Sequence, residues 1–132
     1  MNDIVDKCTR VFVVDDHPIV RQGIRMILEE EGTMEVCGES GNANDAIRLI
    51  SNEHPDIVLV DISLEGTASG IDLVGSLKKR FPSIPCLIIS MHDDSLYAER
   101  AIMAGARGYV MKNEMEDVIV SAINTILNGE LY

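Results

Sequence analysis

The sequence predicts an α/β fold, a three-layer α/β/α sandwich built on a five-stranded parallel sheet. Three observations carry this. Short apolar runs recur along the chain, stretches with helical periodicity separate them, and five such strand–helix units of about 26 residues fill the 132 positions. The stronger runs are continuously apolar and do not alternate with polar residues, so both faces of each strand must be covered, as in a parallel sheet. Crossovers between such strands are right-handed. No repeat, low-complexity tract or Pro/Gly/Ser-rich linker divides the chain. It reads as one domain over residues 1–132, with its core between about residues 9 and 130.

The first run, Val11–Val14, is β-branched and too short for a helix, which makes it a strand. Val20, Ile24, Ile27 and Leu28 then form a helical stripe, with Pro18 in the first turn and Gly32 as the stop. The weaker run Met34–Cys37 leads into Gly38 and Glu39; it places its glutamates on one side only and suits an edge strand. Ala46, Ile47 and Ile50 mark a second helix that ends before His54-Pro55. Ile57–Val60 is the next strand, and Ile71, Val74 and Leu77 the next helix, closed by Phe81-Pro82. Leu87–Ile89 and Tyr109–Met111 are the last two strands. Helices over Leu96–Met103 and Val118–Leu127 follow them, each trailed by a glycine, Gly105 and Gly129.

Composition narrows the function. Hydrophobic residues at 46% and charged ones at 25% are globular proportions. Against 11 basic residues stand 22 acidic ones, a net charge of −11 that repels phosphate backbones and anionic lipid. Cys8, Cys37 and Cys86 are odd in number, far apart and in no C-x-x-C pair, which argues against a disulfide framework or a zinc site. Cys37 and Cys86 read as small core residues. The first ten residues carry acids where a signal peptide carries bases, and no apolar run approaches the roughly 20 residues of a membrane span. The expectation is a soluble cytoplasmic protein that contacts neither membrane nor DNA through these residues.

The functional signal lies where the apolar runs stop. The first ends in Asp15-Asp16, the Ile57 run in Asp61, the Leu87 run in Ser90 and the Tyr109 run in Lys112. Open parallel sheets bind ligands at the carboxyl ends of their strands, so the fold gathers these scattered residues into one cluster. Three crowded carboxylates must hold protons or recruit a cation, and an all-oxygen site with room for water suits Mg²⁺. A carboxylate beside such an ion can attack a phosphoryl group and form an aspartyl phosphate. Lys112 would offset charge on the transferred group, and the Ser90 hydroxyl could bond one of its oxygens.

The segments VFVVDDHPIVRQGIRMIL, PDIVLVDISL, IPCLIISMHDD and AGARGYVMK resemble the receiver domain of two-component response regulators, over nearly the whole chain from Arg10 onward. The VDDHP and SMHDD wording is most similar to the NarL/FixJ group, whose members commonly carry a C-terminal helix-turn-helix output domain. The resemblance implies the flavodoxin-like receiver fold with strand order 2-1-3-4-5. It implies Asp61 as phosphoacceptor, Asp15 and Asp16 as metal-site acids with Asp16 the more direct ligand, and the Ser63 backbone carbonyl completing the protein's share of a Mg²⁺ shell. It implies Ser90 and Tyr109 as the switch pair, Lys112 as the phosphoryl-binding lysine, and Ser63 and His92 as positions that tune dephosphorylation. The implied donor is a sensor histidine kinase or phosphotransfer protein. The implied output surface, and homodimer face, is the fourth helix, fifth strand and fifth helix. DNA would be reached only through an output domain beyond residue 132, and a stand-alone or relay receiver is the alternative.

Two positions depart from the family pattern. Leu64-Glu65 stands where a Met-Pro pair is common, with a loop to Gly70 one residue longer, and Asn113 replaces the proline after the lysine. A haloacid-dehalogenase-type phosphatase needs a second acid two residues after its nucleophile; Ser63 stands there and can neither protonate a leaving group nor activate water. A flavodoxin-type flavin site needs a donor-rich phosphate loop after the first strand, where Asp15-Asp16-His17-Pro18 offers two negative charges. The expectation is therefore a signalling module, with no catalysis beyond its own Mg²⁺-assisted phosphorylation and dephosphorylation.

Overall fold

The computed structural model describes residues 8–62, 70–91 and 95–132, with backbone alone at 95–97. Five parallel strands alternate with five helices: β1 (Thr9–Val14), α1 (Pro18–Glu30), β2 (Met34–Ser40), α2 (Ala43–Glu53), β3 (Ile57–Asp61), α3 (Gly70–Arg80), β4 (Cys86–Ser90), α4 (Ser95–Ala104), β5 (Gly108–Met111) and α5 (Met115–Leu127). A single 3₁₀ turn, Lys112–Glu114, joins β5 to α5. The sheet order is β2-β1-β3-β4-β5, the predicted order.

Both sheet faces are covered because successive side chains of a strand point to opposite sides. Val11, Val13, Leu59, Leu87 and Ile89 pack with Ile24 and Leu28 of α1 and with Ile119, Ile123 and Ile126 of α5. Phe12, Val14, Val58, Val60 and Ile88 pack with Ala46 and Ile50 of α2, Leu73 and Leu77 of α3, and Ala101 of α4. All three cysteines are free. Burial pushes the Cys86 thiol up to about 12, which leaves it an inert core group.

One expectation fails at β2. Its glutamates do not share a face. The register with β1 slips between Val11 and Phe12, pairing Val11 with Val36 but Phe12 with Gly38, so the strand carries a bulge at Cys37. A Cβ at Gly38 would lie 2.8 Å from the Phe12 ring, so only glycine fits there. The extra residue reverses the alternation. Glu35 meets Arg10, itself bonded to Glu53 of α2, whereas Glu39 meets Arg21 and Arg25 of α1 on the opposite face. Strictly alternating strand logic cannot see this inversion.

At the other edge the chain's end is tied back to β5. The Tyr132 amide donates to the Arg107 carbonyl at 2.9 Å, and the Arg107 guanidinium donates to the Gly129 carbonyl at 3.0 Å. No described helix is long and apolar enough to cross a membrane.

Candidate functional site

The strand ends converge as predicted. Asp15 follows β1, where its amide donates to the Ser40 carbonyl at 3.0 Å and prolongs the β1–β2 ladder by one rung. Asp61 is the last residue of β3 and is only 1% exposed; Asp15 is 2% exposed. Burying carboxylates this deeply is costly unless positive or donor groups compensate. Two do. The Lys112 ammonium, at the start of the 3₁₀ turn, lies 3.1 Å from Asp15 Oδ2 and 3.6 Å from Asp61 Oδ1. His17 donates its amide to Asp15 Oδ1 at 2.9 Å, and its Nδ1 sits 3.0 Å from Asp15 Oδ1 and 2.9 Å from Asp16 Oδ1. The hydrogen bond to Asp15, and then the charge of Asp16, raise the His17 pKa above its ordinary value.

Ligand atoms of Asp15, Asp16, His17 and Asp61 all lie within 4.8 Å of one another. Ser90, fully buried, ends β4; Ile88 pairs with Tyr109 on β5, and both belong to the core face under α2, α3 and α4. Ser90, two residues past Ile88, shares that side of the sheet. The predicted Asp15, Asp16, Asp61 and Lys112 are thus one constellation, with Ser90 and Tyr109 on the neighbouring strands. Ser63, Glu65 and His92 lie outside the described residues. Among the described residues no peptide bond is cis, that of Lys112–Asn113 included.

The approach to Asp61 depends on a glycine. The Gly70 amide donates to the Ile62 carbonyl at 3.2 Å, which docks the start of α3 on the end of β3. A Cβ at Gly70 would lie 2.2 Å from the Asp61 carbonyl oxygen and 2.7 Å from Ile62 Cα, both unyielding backbone atoms. Any side chain there would displace the end of β3 or the helix.

Sequence reasoning left one participant open and missed another. His17, which from its place in the sequence either opens the first helix or biases metal binding beside the acid pair, has its ring between two acids. Arg21 was given no role, yet its guanidinium donates to the Asp15 carbonyl and, through Nε, to Glu39 Oε1 at 2.8 Å. The available signal was spacing, since a long basic side chain five residues past Asp16 on a helix can fold back over the turn that carries the acids.

Comparison with known proteins agrees with this geometry. Residues 11–124 match the family model described as the response regulator receiver domain. The chain is 31% identical over 123 residues to the oxygen regulatory protein NreC of Staphylococcus carnosus, which covers 93% of this chain and 57% of that protein. It is 29% identical to the transcriptional regulatory protein DegU of Brevibacillus brevis, over 93% of this chain and 52% of that one. The chain thus spans little more than half the length of these relatives. Among solved structures, a LuxR-family two-component response regulator from Aurantimonas sp. SI85-9A1 is 38% identical with a TM-score of 0.89, covering 95% of this chain and 89% of that one. The signal receiver domain of a response regulator designated NarL from Mycobacterium tuberculosis is 30% identical with a TM-score of 0.87, covering 94% and 99%. With the family model matched over most of its length and its acids gathered where that fold gathers them, this chain belongs to the response regulator receiver domain family.

Proposed function

We propose that Asp61 accepts a phosphoryl group from the phosphohistidine of a sensor histidine kinase or phosphotransfer protein, with Mg²⁺ held in the acidic pocket. The observation that carries this reading is the buried Asp61 carboxylate at the end of β3, clustered with Asp15 and Asp16 and 3.6 Å from the Lys112 ammonium. The donor set fits the ion. Carboxylate oxygens are the ligands Mg²⁺ prefers, and Asp15, Asp16 and Asp61 would hold it, with the Ser63 carbonyl an expected further ligand. His17 Nδ1, already engaged with both acids, is a less suitable partner for a hard cation. When bound, Mg²⁺ supplies positive charge that quiets the repulsion among the acids and draws phosphoryl oxygens to them.

Asp61 is the nucleophile. One carboxylate oxygen forms the new O–P bond as the P–N bond of the donor breaks, and the leaving imidazole takes its proton from solvent. Lys112 is close enough to Asp61 to balance charge on the arriving phosphoryl oxygens, and the Ser90 hydroxyl, buried at the end of the adjacent strand, would bond one of them. Because Ser63 and not an acid follows two residues later, the adduct persists as a signal, with Ser63 and His92 setting its lifetime. A shift of Ser90 toward the phosphoryl group would free space for Tyr109 to rotate, passing the change to the α4–β5–α5 face, where a second copy or an output domain would dock. Since relatives named as transcriptional regulators are nearly twice as long, that output is read as a helix-turn-helix DNA-binding domain beyond residue 132 of a cytoplasmic regulator.

The test is direct. Incubation with acetyl phosphate and Mg²⁺ should add one phosphoryl group by mass spectrometry, and Asp61→Asn should abolish it. Retention of the adduct in that variant would overturn the assignment.

A further inference from the structure

Resting on the Mg²⁺ reading above, we infer that Arg21, braced by Glu39, is a positioning residue for the acid pair: it locks the Asp15–Asp16 peptide so that both carboxylates face the metal site. Asp15 is held on both sides of its Cα. Its amide donates to the Ser40 carbonyl at 3.0 Å, and its carbonyl accepts from Arg21 Nη1. With both flanking peptide planes fixed, φ and ψ of Asp15 have little freedom, and the plane that leads into Asp16 is set with them. The guanidinium that does this is itself immobilised. Arg21 Nε donates to Glu39 Oε1 at 2.8 Å, while the other oxygen of Glu39 accepts from Arg25, which also lies 3.6 Å from Glu29. Arg21 is largely buried, and the β2–α2 loop lies against it. A methyl group at Gly41 would sit 3.5 Å from Arg21 Nη1 and 3.8 Å from Asp16 Cα, so this loop closes over both guanidinium and acid turn.

The bulge in β2 makes the brace possible. Were β2 to alternate regularly through Cys37 with no bulge, Glu39 would fall on the same side as Glu35, the α2 face, away from Arg21 and Arg25. Arg21 is also suited to the task in a way lysine is not, because its planar fork bonds an acid and a carbonyl at once in fixed relative directions.

Positioning and charge make opposite predictions here. Arg21 is a cation beside a site proposed to bind a cation. If it acted by charge alone, removing it would tighten Mg²⁺ binding. If it positions the acids, removing it weakens Mg²⁺ binding by about tenfold, the scale seen when a group that orients metal ligands is lost.

The experiment titrates Mg²⁺ alone into wild type, Arg21→Met, Arg21→Lys and Glu39→Gln, following backbone amide resonances, and repeats acetyl phosphate labelling across Mg²⁺ concentrations. The expected result is a Mg²⁺ dissociation constant about tenfold higher in Arg21→Met, with smaller increases in Glu39→Gln and Arg21→Lys. Labelling at saturating Mg²⁺ should return close to the wild-type rate, since Asp61, Ser90 and Lys112 are untouched. Wild-type or tighter Mg²⁺ binding by Arg21→Met overturns the inference while leaving the function reading intact. Should Arg21→Met fail to fold, wild-type affinity in both milder variants overturns it equally. A wild type that takes up no Mg²⁺ defeats the function reading and this inference together.

Discussion

β5 is flanked by two helices that grip it unequally. On one face α5 buries Ile119, Ala122, Ile123 and Ile126 almost completely. On the other, α4 buries only Ala101 among its described side chains, and leaves Met103 82% exposed. The difference lies in what each described face inserts into the core. A helix held mainly by its packed apolar face is as stable as that face is wide. Ala101 of α4 lies on the side to which Tyr109 packs, while α5 covers the opposite side. The expectation from the described side chains is that the α4 side rearranges more readily than the α5 side. The proposed switch through Ser90 and Tyr109 would need that arrangement.

The largest test of the contrast removes the grip of α5. Ile123→Ala should cost about 2–5 kcal/mol in urea unfolding, the range for a fully buried isoleucine. A loss below 1 kcal/mol would mean that α5 is no better anchored than α4. Next in size is Mg²⁺ itself, which at tenfold excess over its dissociation constant should add about 1.4 kcal/mol of global stability. By amide exchange that gain should appear in full for α5, expected to exchange through global unfolding, and only in part for α4, expected to open locally. Equal gains in both helices would erase the distinction.

A third test uses acid. Burial opposes ionisation of Glu39, but hydrogen bonds from Arg25 and Arg21 outweigh it and hold the carboxyl below its ordinary pKa. A depressed acid stabilises the fold at neutral pH and up from its ordinary value; the contribution is lost as pH falls through the lower folded value. Wild type should therefore lose more stability than Glu39→Gln on descending through that window. The loss should again show in full at α5 and only in part at α4, because Glu39 is bonded to α1 and acts on either helix only through global stability. The smallest effect belongs to α4: Met103→Ser should change stability by less than about 0.5 kcal/mol, as an exposed position does.

Much of this molecule is legible from its residues. Continuous apolar runs locate four of the five strands because burial leaves little room for polar alternation, and the weaker, glutamate-bearing run locates β2 at the edge. Their polar successors Asp15, Asp61, Ser90 and Lys112 mark the site because strand ends in a parallel sheet point to one rim. Boundaries were less clear: α5 starts at Met115, before the first strongly apolar stripe at Val118, since Glu116 and Asp117 in its first turn face solvent. What stayed hidden depends on register and reach. The bulge that separates Glu35 from Glu39 leaves no periodicity to read, and the bond from Arg21 to the Asp15 carbonyl needs coordinates to be seen. His17 resembles an ordinary helix opener until its ring is found between two carboxylates.

The tether of Tyr132 to Arg107 gives the molecule a polarity. Arg107 immediately precedes β5, at the amino-terminal rim of the sheet, while Asp61 and Lys112 occupy the carboxyl-terminal rim. A chain continuing past Tyr132 would depart from the pole opposite the phosphoryl chemistry. The four residues of β5 form the shortest covalent route between the poles, about 13 Å of extended backbone, with Tyr109 second among them. Under the proposed function, a receiver arranged in this way would work as a lever with its effort and its load at opposite ends, with β5 as the arm.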